Sequence, residues 1–206
     1  DEAVDRFISH LSDFSFKGCW TGFRLFERQV MYHGSPDPDR ITSVCGDFYR
    51  DIAERIVKRQ GKTHFLEKNT WNMLFFDKFL TLVPEARLVH IRRDPRDTVA
   101  SFLSQPWAPT DVGKAAVYLR DILLRWRGIR TRLPENSYME IDLEKLIADP
   151  RTILQSVCTF LELPWSDDLL RIELSDRSTG RWRRDLAQPD QRTLNDVLKP
   201  VLREPK

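Results

Sequence analysis

Residues 88–102 read LVHIRRDPRDTVASF. An apolar run from Leu88 to Ile91 ends on Arg92 and Arg93, and Asp94-Pro95 follows. RLVHI (87–91) has the composition of a strand buried on both faces. Asp94 suits a helix N-cap and Pro95 the first helical position, so a helix should run to about Ser104. In an open parallel sheet, ligands bind beyond the carboxyl ends of the strands. Helix N-termini attract anions through unpaired N–H groups and the helix dipole. An arginine at such a place offers a planar fork to phosphate oxygens. Arg93 and Ser101 therefore read together as an anion clamp, most simply for a phosphate. Each also has a plainer role: Arg93 as the salt-bridge partner of Asp94 or Asp97, and Ser101 as a small buried residue.

Working outward, AVDRFISHL near the start places Val4, Phe7, Ile8 and Leu11 on one helical stripe. Residues 14–44 are aromatic, then rich in Gly, Pro and Asp, and predict a long loop or lid. GDFYRDIAERIVKRQ (46–60) predicts a helix with Phe48, Ile52, Ile56 and Val57 inward and Gly61 as its stop. HFLE (64–67) predicts a short strand, and WNMLFFDKFLTLV (71–83) a helix ended by Pro84. Further on, KAAVYLRDILLRWRGIR (114–130) is helical, SYMEID (137–142) a strand, and Asp149-Pro150 opens a helix to about Leu161. Residues 164–189 look irregular, and 190–202 predict a closing helix kinked at Pro200. Strands alternating with helices mean an α/β layered fold with a central, mostly parallel sheet flanked by helices. The length of 206 residues suits one domain, 1–206.

Charge and composition exclude several classes. Lys and Arg number 33 against 31 Asp and Glu, so no global field favours nucleic acid. No stretch approaches the roughly 20 apolar residues of a membrane span. Cys19, Cys45 and Cys158 are too few and too scattered for a disulfide framework or a zinc site. His10, His33, His64 and His90 have no metal-ligand spacing, and no metal is expected. These features fit a soluble cytoplasmic protein.

The ordered set FLEKNTWN, VPEARLVHIRRDPRDTVASF, YMEIDLEKLIADP…VCTFLELPW and STGRWRRDL resembles the sulfotransferase family over roughly residues 60–203. Prokaryotic members read E-K-T-P-x-N, a helix, F-P-x-A-R, a strand, R-D-P-R-D, then Ser; E-x-L-x-x-D-P and G-x-W-R segments follow. The resemblance implies a P-loop-type fold and transfer of a sulfuryl group from 3′-phosphoadenosine 5′-phosphosulfate (PAPS) to a hydroxyl or amine. It assigns Arg93 and Ser101 to the 3′-phosphate, and Lys68 to the transferring sulfuryl group. Lys68 would stabilise charge developing on the bridging oxygen. Glu67 is a candidate general base, or a structural carboxylate paired with Lys68. Asn72 matches a polar position beside cofactor or acceptor. Arg181 lies in the G-x-W-R segment and would close over the cofactor phosphates, while Trp182 is core or a wall beside the adenine. The Lys-Thr-His at residues 62–64 resembles the segment whose histidine is the base in cytosolic animal sulfotransferases. However, Lys68 rather than Lys62 has the family's spacing to Arg93, so His64 reads as a strand residue.

The pattern is incomplete. Nothing matches the family's N-terminal P-x-S-G-T-T phosphate loop, whose backbone N–H groups cradle the phosphosulfate. The expectation is thus the C-terminal three-quarters of a sulfotransferase, with the first βα unit missing and activity of this piece alone in doubt. Leu143 replaces the family's tyrosine in the Y-E-x-L turn, and Asn69-Thr70 stands where K-T-P has its proline. A non-catalytic relative or a P-loop kinase remains an alternative reading. The acceptor is open among small molecules, lipids, glycans and peptides. FSFKGCWTGFRLF and Trp107 either wall an apolar pocket or fill core.

Overall fold

The computed structural model describes residues 2–4, 6–7, 20–25, 28–33 and 38–202. The chain divides into two compact units, Asp1–Ala86 and Arg87–Lys206.

In the first unit, residues 2–4 and 6–7 are helical; Ile8 and Leu11 of the expected stripe, and the aromatic run 14–19, lie outside the described residues. The long loop expected over residues 14–44 gives way to two strands. β1 (Trp20–Leu25) and β2 (Arg28–His33) pair antiparallel, with Phe23 opposite Val30 and Thr21 opposite Tyr32. Both segments are rich in aromatic and β-branched residues, which favour extended backbone. The Gly, Pro and Asp that suggested a loop cluster only after His33.

Helix α1 (Pro38–Arg59) begins earlier than the expected residue 46. Pro38 opens it and Asp39 lies in its first turn, both favourable at a helix start. Gly46, expected at the boundary, lies inside it for a packing reason. A Cβ there would come 2.2 Å from the Leu82 carbonyl oxygen, so only glycine permits this approach. Ile52 and Ile56 are partly exposed rather than inward. Arg50 ties the helix to the chain beyond Leu82, donating to the Leu82 carbonyl at 3.2 Å and to Glu85 at 2.8 Å.

Residues 64–67 are not a strand. All four are exposed, Leu66 at 80%, and they have no ladder partner among the described residues. The expected helix 71–83 is split at Phe75 into a 3-10 turn (Asn72–Leu74) and α2 (Phe76–Leu82).

In the second unit, β3 (Leu88–Arg92) pairs in parallel with β4 (Tyr138–Asp142). Between them run α3 (Pro95–Phe102) and α4 (Val112–Arg130). After β4 come α5 (Leu143–Ala148), α6 (Pro150–Leu161), α7 (Arg181–Asp185) and α8 (Gln188–Leu202). Asp94, Asp111 and Asp149 cap α3, α4 and α6 through their carboxylates. Residues 164–189, expected irregular, hold two 3-10 turns as well as α7.

The core forms where α3, α4 and α8 meet. Val99, Ala115, Ala116, Leu194 and Leu198 are fully buried there. The alanines let α4 approach α8 closely. Pro200 lies within α8, and Arg127 of α4 donates to the carbonyls of Pro200 and Val201 at its end.

β3 is not buried on both faces as expected: Ile91 is 55% exposed. Its other face carries charge. His90 lies opposite Glu140 and Arg92 opposite Asp142 in the ladder. Glu140 accepts from His90 Nδ1 at 2.9 Å, Trp126 Nε1 at 2.8 Å and Arg130 at 2.6 Å. Burial pushes the Glu140 carboxyl up, but the His90 and Trp126 hydrogen bonds and the Arg130 and Arg92 charges outweigh it, leaving a pKa of about 2. A depressed acid contributes stability in full above its ordinary value of 4.5 and loses it as pH falls towards about 2. Thermal melts between these limits should show a progressive loss, on the order of 2 kcal/mol from this group. Glu140→Gln should flatten that limb; an identical acid limb in the variant would remove Glu140 as its source.

Candidate functional site

The two strand ends of the second unit are tied together. Arg92 donates to Asp142 through Nε at 3.1 Å and Nη2 at 2.7 Å. The Asp94 backbone N–H donates to Glu144 at 3.0 Å. Glu144 belongs to the L-E-K-L turn, so that carboxylate fixes where α3 begins.

At this start Asp94 accepts from the Arg96 backbone at 2.8 Å and from the Arg96 guanidinium, Nη2 at 2.6 Å. Asp97, next in the first turn, is only 1% exposed. Its carboxylate accepts the Gly180 N–H at 2.8 Å and the Trp182 N–H at 3.0 Å. Gly180 is the N-cap of α7 at φ 70°, a left-handed conformation that glycine adopts freely, and it has no side chain to cap with. Asp97 does that work from α3, placing negative charge where two helix starts favour it. The 180–185 segment is thereby fixed on the helix that carries Ser101.

Arg93 is half-buried between β3 and Asp94. Of the two carboxylates beside it, Asp94 binds Arg96 and Asp97 binds the backbone of α7. Ser101 is half-buried in the last turn of α3, and its carbonyl accepts from the Ser104 hydroxyl at 2.9 Å. About 9 Å of helical rise separates Pro95 from Ser101, so one phosphate shared with Arg93 needs that side chain's full reach. Arg181 donates to Asp185 of its own helix. Trp182 is buried, with the guanidinium carbons of Arg96 and Arg183 at 4.4 and 4.5 Å from its ring centroid.

The other three expected residues lie in the first unit. Glu67 and Lys68 are exposed, and Glu67 accepts from the Tyr49 hydroxyl at 3.4 Å. Asn72 opens the 3-10 turn. Asn69 Oδ1 accepts the Trp71 N–H at 2.9 Å, closing with a side chain the turn that a proline shapes in K-T-P. His64 Nδ1 is 2.8 Å from the Thr63 hydroxyl. The structure thus brings Arg93 and Ser101 onto one strand-to-helix unit and docks the Arg181 segment beside it.

Two residues escaped the sequence reading: Asp97, considered only as a partner for Arg93, and Glu144. Their signal was the acidic residue in each motif, R-D-P-R-D and E-x-L, but which backbone N–H each one meets is a tertiary fact. Among the described residues no His, Cys, Asp and Glu cluster suits a metal ion, and no helix is long and apolar enough to cross a membrane.

Asp97→Asn keeps the shape but turns an amide N–H₂ towards one of two N–H donors. A destabilisation of about 1–3 kcal/mol is expected in denaturant melts, the cost of an unsatisfied buried group. Stability equal to wild type would show that α7 does not depend on this carboxylate.

Comparisons with known proteins bear on the family and the fold. Residues 19–167 match the model of the sulfotransferase family, a span that runs through both units. A protein-tyrosine sulfotransferase 1 from Danio rerio is 25% identical over 157 residues, covering 73% of this chain and 43% of that protein. An uncharacterized protein from Aquifex aeolicus (strain VF5) is 23% identical over 143 residues, 64% of this chain and 18% of that protein. The chain thus spans less than half the length of either relative. Two solved structures share its fold. The sulfotransferase domain from the curacin biosynthetic pathway has a TM-score of 0.54 at 12% identity, over 76% of this chain and 69% of that one. The sulfotransferase domain of the Synechococcus PCC 7002 olefin synthase has a TM-score of 0.56 at 18% identity, over 76% and 64%. On the family match through both units, and with the fold of two solved sulfotransferase domains, the chain belongs to the sulfotransferase family.

Proposed function

We propose that the chain carries the donor site of a sulfotransferase that uses PAPS and a hydroxyl or amine acceptor. The observation that carries this is the docking of the Gly180–Trp182 turn on α3 by Asp97, which joins two of the family's motif blocks in one place. The chemistry suits a phosphorylated nucleotide: arginines 93, 96 and 183 and a helix start lie together, with the Ser101 hydroxyl further along the same helix. The two units are read as parts of one sulfotransferase domain.

Arg93 and Ser101 hold the 3′-phosphate in this reading. Arg181 reaches a phosphate only by exchanging Asp185 for it. PAPS, when bound, supplies an activated sulfuryl group. Lys68 lends its charge to the oxygen that leaves with the phosphate, so its effect grows as the reaction proceeds. Glu67 takes the acceptor proton, and Asn72 orients donor or acceptor by hydrogen bonding. The relative named for protein tyrosine supports a phenolic hydroxyl of a peptide as one acceptor class, beside small molecules, lipids and glycans. A cytoplasmic location goes with this reading.

Arg93→Ala should weaken binding of PAP, the desulfated product, by about 1.5–3 kcal/mol, the range for a hydrogen bond to a charged group. An unchanged dissociation constant takes Arg93 out of the clamp. Lys68→Ala should lower turnover far more than it weakens PAP. Equal losses in both would make Lys68 a ground-state binding residue.

A further inference from the structure

The segment that carries Glu67 and Lys68 lies outside helix and sheet. Residues 64–67 are exposed and have no strand pairing among the described residues. Tyr49, half-buried on α1, meets this segment twice. Its ring lies edge-on to Phe65, with centroids 6.1 Å apart, and its hydroxyl donates to Glu67 Oε2 at 3.4 Å. The same ring is also edge-on to Phe79 of α2, at 5.0 Å. A long helix and two ring contacts thus fix where the hydroxyl sits. Among the described residues no lysine or arginine pairs with Glu67, Lys68 included, and the Tyr49 hydroxyl is the partner of its carboxylate. Burial and the neighbouring Glu67 charge push the Tyr49 phenol up, so it stays protonated and able to donate at neutral pH.

A carboxylate used as a general base must be held within reach of the proton it takes. On an irregular segment, a fixed neighbour has to hold it there. One Glu67 oxygen accepting from Tyr49 leaves the other for the acceptor proton. Hydrogen bonds of this kind are often long without substrate and tighten when it binds. We propose that Tyr49 is a positioning residue for sulfuryl transfer, its hydroxyl orienting the Glu67 carboxylate as general base. The assignment rests on the reading of Glu67 as that base.

The acceptor class is open, so the test uses water as the acceptor probe. In slow hydrolysis of PAPS the bond from sulfur to the bridging oxygen breaks and PAP leaves. The water oxygen bonds to sulfur, and Glu67 takes the water proton. PAP release is followed for the chain and its variants, with PAP affinity measured beside it by calorimetry. Tyr49→Phe keeps the ring against Phe65 and Phe79 and should fold as wild type by circular dichroism. It should lower kcat about tenfold, the kinetic equivalent of one charge-assisted hydrogen bond. KM for PAPS and PAP affinity should stay within about twofold. Glu67→Gln should lower kcat at least as far, and adding Tyr49→Phe to it should change the rate by less than about twofold. A wild-type rate in Tyr49→Phe overturns the assignment. So do losses that multiply in the double variant, or a matching loss of PAP affinity, which a merely structural role would give. Wild-type hydrolysis in Glu67→Gln, or none by the unaltered chain, instead overturns the general-base reading, and this assignment with it.

Discussion

A buried carboxylate between two helix starts is worth its desolvation only if its oxygens are used, and Asp97 uses both. It stands in the first turn of α3 and accepts two N–H groups of the α7 start, more than eighty residues away in sequence. The N–H groups at the end of such a helix need acceptors, and glycine at the N-cap cannot provide one. One side chain thus sets the position of Trp182, Arg183 and the polypeptide around them. The packing beneath agrees: Trp182 joins the core cluster with Val99 of α3 and Leu194 and Leu198 of α8. A second charged knot, Glu140 with His90, Trp126 and Arg130, fixes the register of β3 against β4. Strand end, helix start and docked turn are therefore joined to one another by hydrogen bonds through buried or half-buried carboxylates.

What the sequence made legible follows from locality. The caps Asp94 and Asp149 act on N–H groups two or three residues away, so the boundaries of α3 and α6 can be read from adjacent letters. β3, β4 and α4 are strongly patterned, and the structure has them within a residue or two. The failures are non-local. Residues 64–67 have the letters of a strand but no ladder partner among the described residues. Gly46 resembles a helix boundary until the Leu82 carbonyl is seen against it. Residues 20–33 were obscured by the glycine and proline that follow. Composition also misjudged β3, whose charged face is satisfied by partners on β4 and α4.

The candidate site was legible to the same degree. Arg93 and Ser101 share the expected strand-to-helix unit, because their order is local. The partners that shape it, Glu144 on the Asp94 N–H and Asp97 on α7, depend on contacts between distant segments. The arginines of α7 could not be ranked from the letters G-R-W-R-R, since their different engagements appear only with the helix in place. Glu67, Lys68 and Asn72 sit where the chain is least regular. Their roles rest on chemistry and on the family pattern.

The central claim is recognition of a nucleotide by its 3′-phosphate, and the most direct measurement is a calorimetric titration of the unaltered chain with PAP beside adenosine 5′-phosphate. The prediction is saturable binding of PAP with adenosine 5′-phosphate at least about tenfold weaker, the scale of one or more charge-assisted bonds to the extra phosphate. No binding of PAP, or equal binding of the two nucleotides, would contradict it.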